Sequence, residues 1–457
     1  MTIERQNPGD VVLSVSLYRD GERLENADGE YELREFIRGF EIYESINSST
    51  LESKIIIEDS AGLINILTGT ELFRIQVKGS IIDRTFYMRS YNIESRSRTN
   101  QGSDVYIVNL VTDEFIKNEA TNIFGNTRTV FNNKTETSQI VSTILKDNRF
   151  LGTRKKIFAE ETLNKQEFVA PNWRPFDAIY WMSERSIRKS QSGGVLQNGF
   201  AFYENALGFH YKSIDQMIED VTNMKEDGKT NFTTGVPRLY RYNYAPKSVE
   251  LDQSTDQFKI SSIVFPNEKN YLMGLRHGAW SGYSIGFDPN TITQSKMGES
   301  TDMSVDAYYY TLQDVWSKMS HLNKGQKNPI TYMDETVQKL ISYPKRVRYS
   351  MLPNQIFDPK YQNNPQKNYE NLVELQAYQW MRIESLKNVK LQITIPGNLD
   401  LYAGSGIEII IPSSQKSGEK TKIDERYSGR YLIASLTHST TGATMKTELF
   451  LMKDSTI

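Results

Sequence analysis

Arg430-Tyr431-Leu432-Ile433-Ala434-Ser435-Leu436-Thr437-His438 is the stretch from which the fold can be read. It alternates apolar and polar residues, turns through Thr440-Thr441-Gly442, and alternates again from Met445 to Met452. That pattern is a β-hairpin. A similar hairpin lies towards the other end of the chain. Phe86-Tyr87-Met88-Arg89-Ser90-Tyr91-Asn92-Ile93 runs to a turn around Asn100-Gln101-Gly102 and returns from Val105 to Asp113. As one motif used twice, they give the chain two related β-modules with other material between.

The strands before the hairpins extend the comparison. Gly69-Thr70-Glu71-Leu72-Phe73-Arg74-Ile75-Gln76-Val77 parallels Gly404-Ser405-Gly406-Ile407-Glu408-Ile409-Ile410-Ile411, and each leads through a connection into its hairpin. The C-terminal connection is longer, which a surface loop tolerates at little entropic cost. Three copies of a chain with two such modules would present six similar units, so a three-fold object could pack on a six-fold one. In the last hairpin Tyr431, Ile433 and Ser435 share one side, and Leu432, Ala434 and Leu436 the other. Apolar residues on both sides predict a strand covered on both, in a buried position between barrels rather than at an exposed edge.

The intervening chain divides by pattern. Residues 1–120 read as six or so strands with a short helix capped by Asp59 and buried through Leu63, Ile64 and Leu67, a small antiparallel barrel or sandwich. Residues 121–211 read as α+β. Thr137 is the expected cap of a helix burying Ile140, Val141, Ile144 and Leu145. A second helix opens at Pro175 with Phe176, Ile179, Tyr180, Ser183 and Ile187 at helical spacing. Gly193-Gly194 marks a turn, and Phe200 to Tyr211 a tight hairpin. Met217 to Thr234 reads as loop or linker. Phe258–Phe265 and Met273–Phe287 read as strands, within a segment 212–290 of strands and linkers. Residues 291–386 combine a polar stretch, an extended connection over 342–368 that holds four prolines, and a helix from Tyr369 to Leu386. The helix has Tyr369, Leu372, Val373, Ala377, Trp380 and Met381 on one side. Residues 387–457 form the last β-module, with a strand Val389–Ile395 and an exposed loop over Pro412–Ser428.

Composition narrows the function. The chain has 457 residues, with 54 basic against 56 acidic side chains and a formal charge of −2, which argues against a general nucleic-acid coat or a polybasic membrane binder. It has no cysteine, so no disulfide, thiolate metal site or cysteine nucleophile. The polar start predicts no secretory signal, and no apolar run reaches the roughly 18–20 residues of a membrane span. The 26 tyrosines in a chain only 38% hydrophobic suit large half-polar surfaces of the kind found between subunits, or a loop-rich protein with small cores.

The search for chemistry is largely negative. His210, His277, His321 and His438 are scattered and form no zinc motif, there is no phosphate-cradling loop, and no acidic cluster has calcium-loop spacing. Asp177 and Glu184 lie seven apart on one expected helix, where a carboxylate pair could hydrolyse a glycoside but wet-face charges are the plainer reading. Lys345-Arg346-Val347-Arg348-Tyr349 is basic with an adjacent aromatic, a weak nucleic-acid signal against a solvated or interface segment. Asn47-Ser48-Ser49, Asn133-Lys134-Thr135 and Asn231-Phe232-Thr233 match the glycosylation pattern, which carries no meaning without secretion. No cofactor or metal is expected.

Several of these stretches together resemble a family. They are Glu44-Ser45-Ile46 through Leu51 to Asp59, Gly69-Thr70-Glu71-Leu72, Pro175-Phe176-Asp177-Ala178-Ile179, Phe202 to Phe209, and Ser428-Gly429-Arg430-Tyr431-Leu432-Ile433 with His438. In order and spacing the chain resembles the baseplate hub subunit of T-even-type contractile-tailed phages, whose architecture the hub part of type VI secretion spike proteins shares. The resemblance implies a mainly β fold with an α+β insertion: two related antiparallel tube-type β-barrels plus a smaller α+β domain. The second barrel would be discontinuous, drawing on 212–290 and 387–457. It implies a homotrimer whose six barrels join the six-fold tail tube to the three-fold central spike, around part of the DNA channel. The expected partners are the chain itself, the spike protein, a tail tube or tube-initiator protein, other baseplate proteins, and phage DNA only in transit, with no membrane insertion. The expected place is the virion baseplate, assembled in the host bacterial cytoplasm, and the protein is not expected to be an enzyme. Candidate interface residues are Leu72, Arg74, Gln76, Tyr91, Ile93, Tyr431, Ile433, Leu436 and His438. The alternatives are a tail-associated cell-wall hydrolase using Asp177 and Glu184, and a tyrosine-rich module that binds host carbohydrate.

Overall fold

The computed structural model describes residues 8–26, 29–30, 33–100, 102–189, 196–244, 256–266, 271–288, 293–294, 308–322, 327–341, 343, 346–351, 360, 363, 365–417 and 420–454. The chain is mainly β, one large sheet with smaller sheets and helices around it.

The first module has strands β1 (Val12–Arg19), β2 (Ile37–Ser45), β3 (Glu52–Asp59), β4 (Leu72–Lys78), β5 (Asp83–Arg98) and β6 (Asp104–Val111). Period-2 alternation shapes each of them. In β4, Phe73, Ile75 and Val77 are buried while Leu72, Arg74 and Gln76 turn to the other face. Phe40, Ile55, Ile75, Met88, Val108 and their neighbours make one core. The Asp59 carboxylate accepts the amides of Ala61 and Ile64, which fixes the short turn Leu63–Asn65.

Between the modules lies an α+β unit. It contains helix α1 (Asp113–Ala120), strands β7 (Ile123–Asn126), β8 (Ile157–Ala159) and β9 (Val169–Trp173), helices α2 (Thr137–Lys146) and α3 (Pro175–Ser183), and hairpin β10 (Phe200–Asn205) with β11 (Gly208–Ser213). Ile140, Val141, Ile144 and Leu145 are fully buried on α2, and Pro175 opens α3. Two details differ from expectation. Glu136 holds the cap position of α2, with Thr137 already helical and its hydroxyl given to the Asn164 carbonyl. Helix α3 stops at Ser183, so Ile187 lies beyond it. Gly193-Gly194 lies outside the described residues.

The expected linker Met217–Thr234 opens inside helix α4 (Ile214–Asn223), and only from Met224 onward is it free of helix and strand. Ser213 caps it, and Ile214, Met217, Ile218 and Val221 form its buried stripe. The expected strand from Met273 begins as helix α5 (Tyr271–His277) and becomes strand only after Gly278, whose φ of 69° ends the helix.

The second module uses β12 (Arg241–Asn243) and β13 (Ser262–Val264), then, after an excursion, β17 (Val389–Pro396), β18 (Gly406–Ile410), β19 (Gly429–Thr441) and β20 (Thr444–Lys453). The excursion contains strands β14 (Ser281–Asp288), β15 (Tyr308–Thr311) and β16 (Val347–Met351), with helices α6 (Leu312–Trp316), α7 (Glu335–Ile341) and α8 (Pro365–Leu386). Strand β16 lies in the expected irregular connection and pairs parallel with β14. Helix α8 packs Ala377, Tyr378 and Met381 against Trp280, Tyr310 and Trp316 in a core of their own. The expected loop over 412–428 forms a short hairpin, Pro412–Ser417 with Lys420–Ile423. Leu391, Ile393, Ile407, Ile409, Tyr431 and Leu449 form the second module's core.

Strand order relates the modules. The first runs β1-β4-β5-β6-β3-β2 and the second β12-β18-β19-β20-β17-β13. Each path passes through a strand, the hairpin that follows it, and then the strand that precedes that first strand in sequence. The match includes a defect, because the first hairpin strand skips one residue in both. Tyr91 is left out between Ser90 and Asn92, and Ala434 between Ile433 and Ser435. One pairing differs in sense, β1 with β4 antiparallel and β12 with β18 parallel. The second module closes on itself. Asn243 receives the Ile260 amide and gives its own to Phe258, while Ser261 donates to Thr394 of β17.

Candidate functional site

The modules share a ladder, and the opening stretch of sequence forms one side of it. Past its bulge, β19 pairs Ser435 through Thr441 with Ser45 through Gly39 of β2, while its other edge pairs with β20. The strand expected to be covered on both sides is therefore central in a 13-stranded sheet. Leu436, His438 and Thr440 face inward opposite Glu44, Ile42 and Phe40. The Thr440 hydroxyl receives the Phe40 amide at 3.1 Å. His438 Nδ1 meets Thr447 Oγ1 at 2.8 Å, and burial pushes its imidazole down to about 3, so it is a neutral spacer.

Glu44 ties three parts of the chain together. Its Oε1 accepts the Ala206 amide at 2.8 Å, from the turn of the β10–β11 hairpin, and its Oε2 accepts the Ala403 amide at 3.0 Å, just before β18. Burial raises its carboxyl to about 7, against the lowering effect of the two amides and of Arg84. Glu204 does the same for the α+β unit. It reaches the Leu51 amide at 3.2 Å, the Thr112 hydroxyl at 2.8 Å and Lys155 at 2.5 Å, and Lys155 also holds Glu114 at 2.6 Å. Burial pushes the Glu204 carboxyl up, while Lys155 sits above its ordinary range because two carboxylates outweigh its own burial.

A third buried cluster fixes α8. Arg382 is fully buried, with Nη1 3.1 Å from Asp454 and Nε 3.3 Å from Asp215 of α4. Tyr378 donates to Asp215 at 2.9 Å and His321 Nδ1 lies 3.0 Å from Asp454. These charges are arranged as clamps between elements.

The candidate interface residues fall into two groups. Leu72, Arg74 and Gln76 lie half-exposed on one face of β4, with Tyr91 53% exposed on β5 and Ile93 half-buried beside it. Tyr431, Ile433, Leu436 and His438 are buried within the chain, where they serve the second core and the ladder between modules. The carboxylates considered for hydrolysis are surface groups. Asp177 pairs with Arg174 at 2.8 Å, which also holds Glu119, and Glu184 lies 3.2 Å from Arg185. Of the basic segment, Lys345 lies outside the described residues and Arg348 stacks over Trp380. Of the other histidines, His210 is buried between Tyr203 and Phe158, and its ring is held well below its ordinary value by desolvation. Among the described residues, no three His, Cys, Asp or Glu side chains gather as metal ligands, and no helix is long and apolar enough to cross a membrane.

Sequence reasoning missed Glu44, Glu204 and Arg382. A signal was present for Glu44, which shares the strand parity of Phe40 and Ile42 and so points a carboxylate into the core.

No model of a known protein family matches the sequence, and no curated protein matches it. Among solved structures, similarity extends over nearly the whole chain. The 43 kDa tail protein of prophage MuSo2 from Shewanella oneidensis gives a TM-score of 0.49 at 8% identity, over 97% of this chain and 99% of that one. A tail protein from Neisseria meningitidis MC58 gives 0.47 at 10% identity, over 97% of each chain. The lidded Francisella PdpA–VgrG complex gives 0.44 at 9% identity, over 98% of this chain and 53% of that one.

Proposed function

We propose that the chain is a structural hub of a contractile phage tail: a homotrimeric adaptor between a six-fold tail tube and a three-fold central spike, around part of the DNA channel. The observation that carries this reading is the pair of six-strand modules with one pairing order, fused edge to edge through β19 and β2. A subunit built from two like units, repeated three times, matches both symmetries. In this reading residues 1–120 supply one tube-type barrel, and 387–457 with part of 212–290 supply the other. The α+β unit, 121–211, sits outside or below the ring, and 291–386 meets a neighbouring baseplate protein.

The role is mechanical and needs no catalytic step or cofactor. The buried clamps suit it, since Glu44, Glu204 and Arg382 lock the modules and helices of one chain into a single body. Leu72, Arg74, Gln76 and Tyr91 are the outward residues offered to neighbours, with Ile93, which packs on the first core, only half-exposed beside them. The partners are other copies, the spike, the tube or its initiator and other baseplate proteins, with DNA only passing through. The place of work is the virion baseplate, after assembly in the host cytoplasm.

Light scattering on the purified chain, alone and with its spike partner, tests the reading. The expected mass of the hub is three times 52.6 kDa, about 158 kDa. A one-chain mass at every concentration, with and without the spike, contradicts it.

A further inference from the structure

The ladder between the modules uses two edges, and each has a counterpart that lacks one. β5 occupies the place of β19 in the pairing order, and β13 that of β2. Beyond its bulge at Tyr91, β5 pairs with β6 alone over Asn92–Arg98, and these residues are exposed apart from the half-buried Ile93. β13 pairs with β17 alone, with Val264 53% and the following Phe265 40% exposed. No strand among the described residues covers either edge. An uncovered strand edge is a template for another chain.

The two modules can be aligned residue by residue from their hydrogen bonds. Ser90 donates its amide to Glu71 and Ile433 donates its amide to Ser405, each immediately before the skipped residue. From that anchor β6 aligns with β20, since Leu110 faces Ser90 and Leu451 faces Ile433. Val105 then aligns with Lys446, so Ser97, opposite Val105, aligns with Ser439, opposite Lys446. The second bulge of β5, between Glu94 and Ser97, is absorbed on the way. On the other side Lys54 aligns with Gln392, so Val264 takes the place of Glu41, and Ile263 that of Phe40. The burial pattern agrees, because Ile263 packs on the second core as Phe40 does on the first, while Val264 and Glu41 face away.

We infer that the β5 edge of one chain takes β13 of a second copy, antiparallel, with Ser97 opposite Val264 and Arg98 opposite Ile263. This repeats between chains the register in which Ser439 faces Glu41 and Thr440 faces Phe40 within one. The contact is head-to-tail, so each chain offers one edge and accepts another, and the series closes when the rotation does. The assignment rests on the ring proposed above and adds the surfaces and register that build it.

The chain has no cysteine, so an introduced pair reports without background. Facing residues of an antiparallel ladder lie about 4.5–5.5 Å apart at Cα, within disulfide reach. Both Ser97 and Val264 are exposed, so the variants keep the core intact. Oxidation of the Ser97→Cys, Val264→Cys double variant should give a ladder of covalent dimers and trimers on a non-reducing gel. The Ser97→Cys, Ser262→Cys variant, two residues out of register, should cross-link at least tenfold less. A three-chain mass with no cross-link in the double variant overturns the edge assignment and leaves the trimer standing. A one-chain mass at all concentrations, without cross-link, overturns both.

Discussion

Glu44 shows how one residue can couple three parts of the chain. A buried carboxylate is costly unless hydrogen-bonded, and two backbone amides from different segments satisfy it. Its carboxyl is raised from 4.5 to about 7, so the folded protein holds a proton that the unfolded chain has released. Its contribution to stability is therefore full below about pH 4.5 and is lost as pH rises through about 7. At 1.36 kcal/mol per pH unit this amounts to about 3 kcal/mol. Urea unfolding from pH 4.5 to 8 should show this loss in the parent and its absence in Glu44→Gln, and parallel curves for the two would contradict it. Arg382 is the opposite case, a cation whose removal strands Asp215 and Asp454 in the interior. Arg382→Ala should lower unfolding free energy by roughly 3–5 kcal/mol, and a loss near that of a surface arginine would show the cluster to be solvated. Neither role is stated by the residue type. Glu44 betrays itself only by its parity on a strand, and the partners of Arg382 are 167 and 72 positions away in sequence.

At the scale of elements, alternation made the hairpins and the repeat legible. β4, β5 and β6, and again β18, β19 and β20, overlap the stretches the pattern marks and run beyond most of them by one to a few residues. Elements whose pattern is short or interrupted were hidden. Helix α4 was lost because its stripe begins at Ile214 behind the Ser213 cap, while acidic Asp215, Glu219 and Asp220 dilute the polar stretch that follows. β12 and β13 are three-residue strands that exist only because neighbouring strands receive them. The turns before β4 and β18 offer a matched test. Gly69 and Gly404 both take positive φ, 85° and 79°. A Cβ on Gly69 meets nothing, whereas one on Gly404 collides with the Tyr203 ring, itself stacked on His210. Gly69→Ala should therefore cost only the backbone strain, about 1 kcal/mol. Gly404→Ala should cost at least 2 kcal/mol more, roughly the penalty of overpacking a core. Thermal unfolding of the two variants measures the difference, and equal losses would mean that Tyr203 yields freely.

For the whole molecule, the sequence pattern pointed to duplication, and strand order and the shared bulge give it a structural basis. Symmetry of assembly is a property of edges, and edges depend on which strands a fold leaves uncovered. Only with β19 seated on β2 do the counterpart edges of β5 and β13 stand out. The interface residues chosen from pattern divide for the same reason. Alternation says which residues share a face, but the topology decides whether that face meets a core, a partner module or another chain. Tyr431 and Ile433 belong to the second module's core, and Leu436 and His438 to the intramolecular joint. Leu72, Arg74 and Gln76 lie half-exposed and Tyr91 exposed on the first module, while Ile93 packs beside its core. The central claim is that two like modules per chain let three chains imitate six. Electron microscopy of the purified assembly, viewed down its axis, tests it most directly. The account predicts a three-fold ring with six similar lobes, alternating between the two modules. A ring of any other order, or three lobes with the second module lying off the ring, would contradict it.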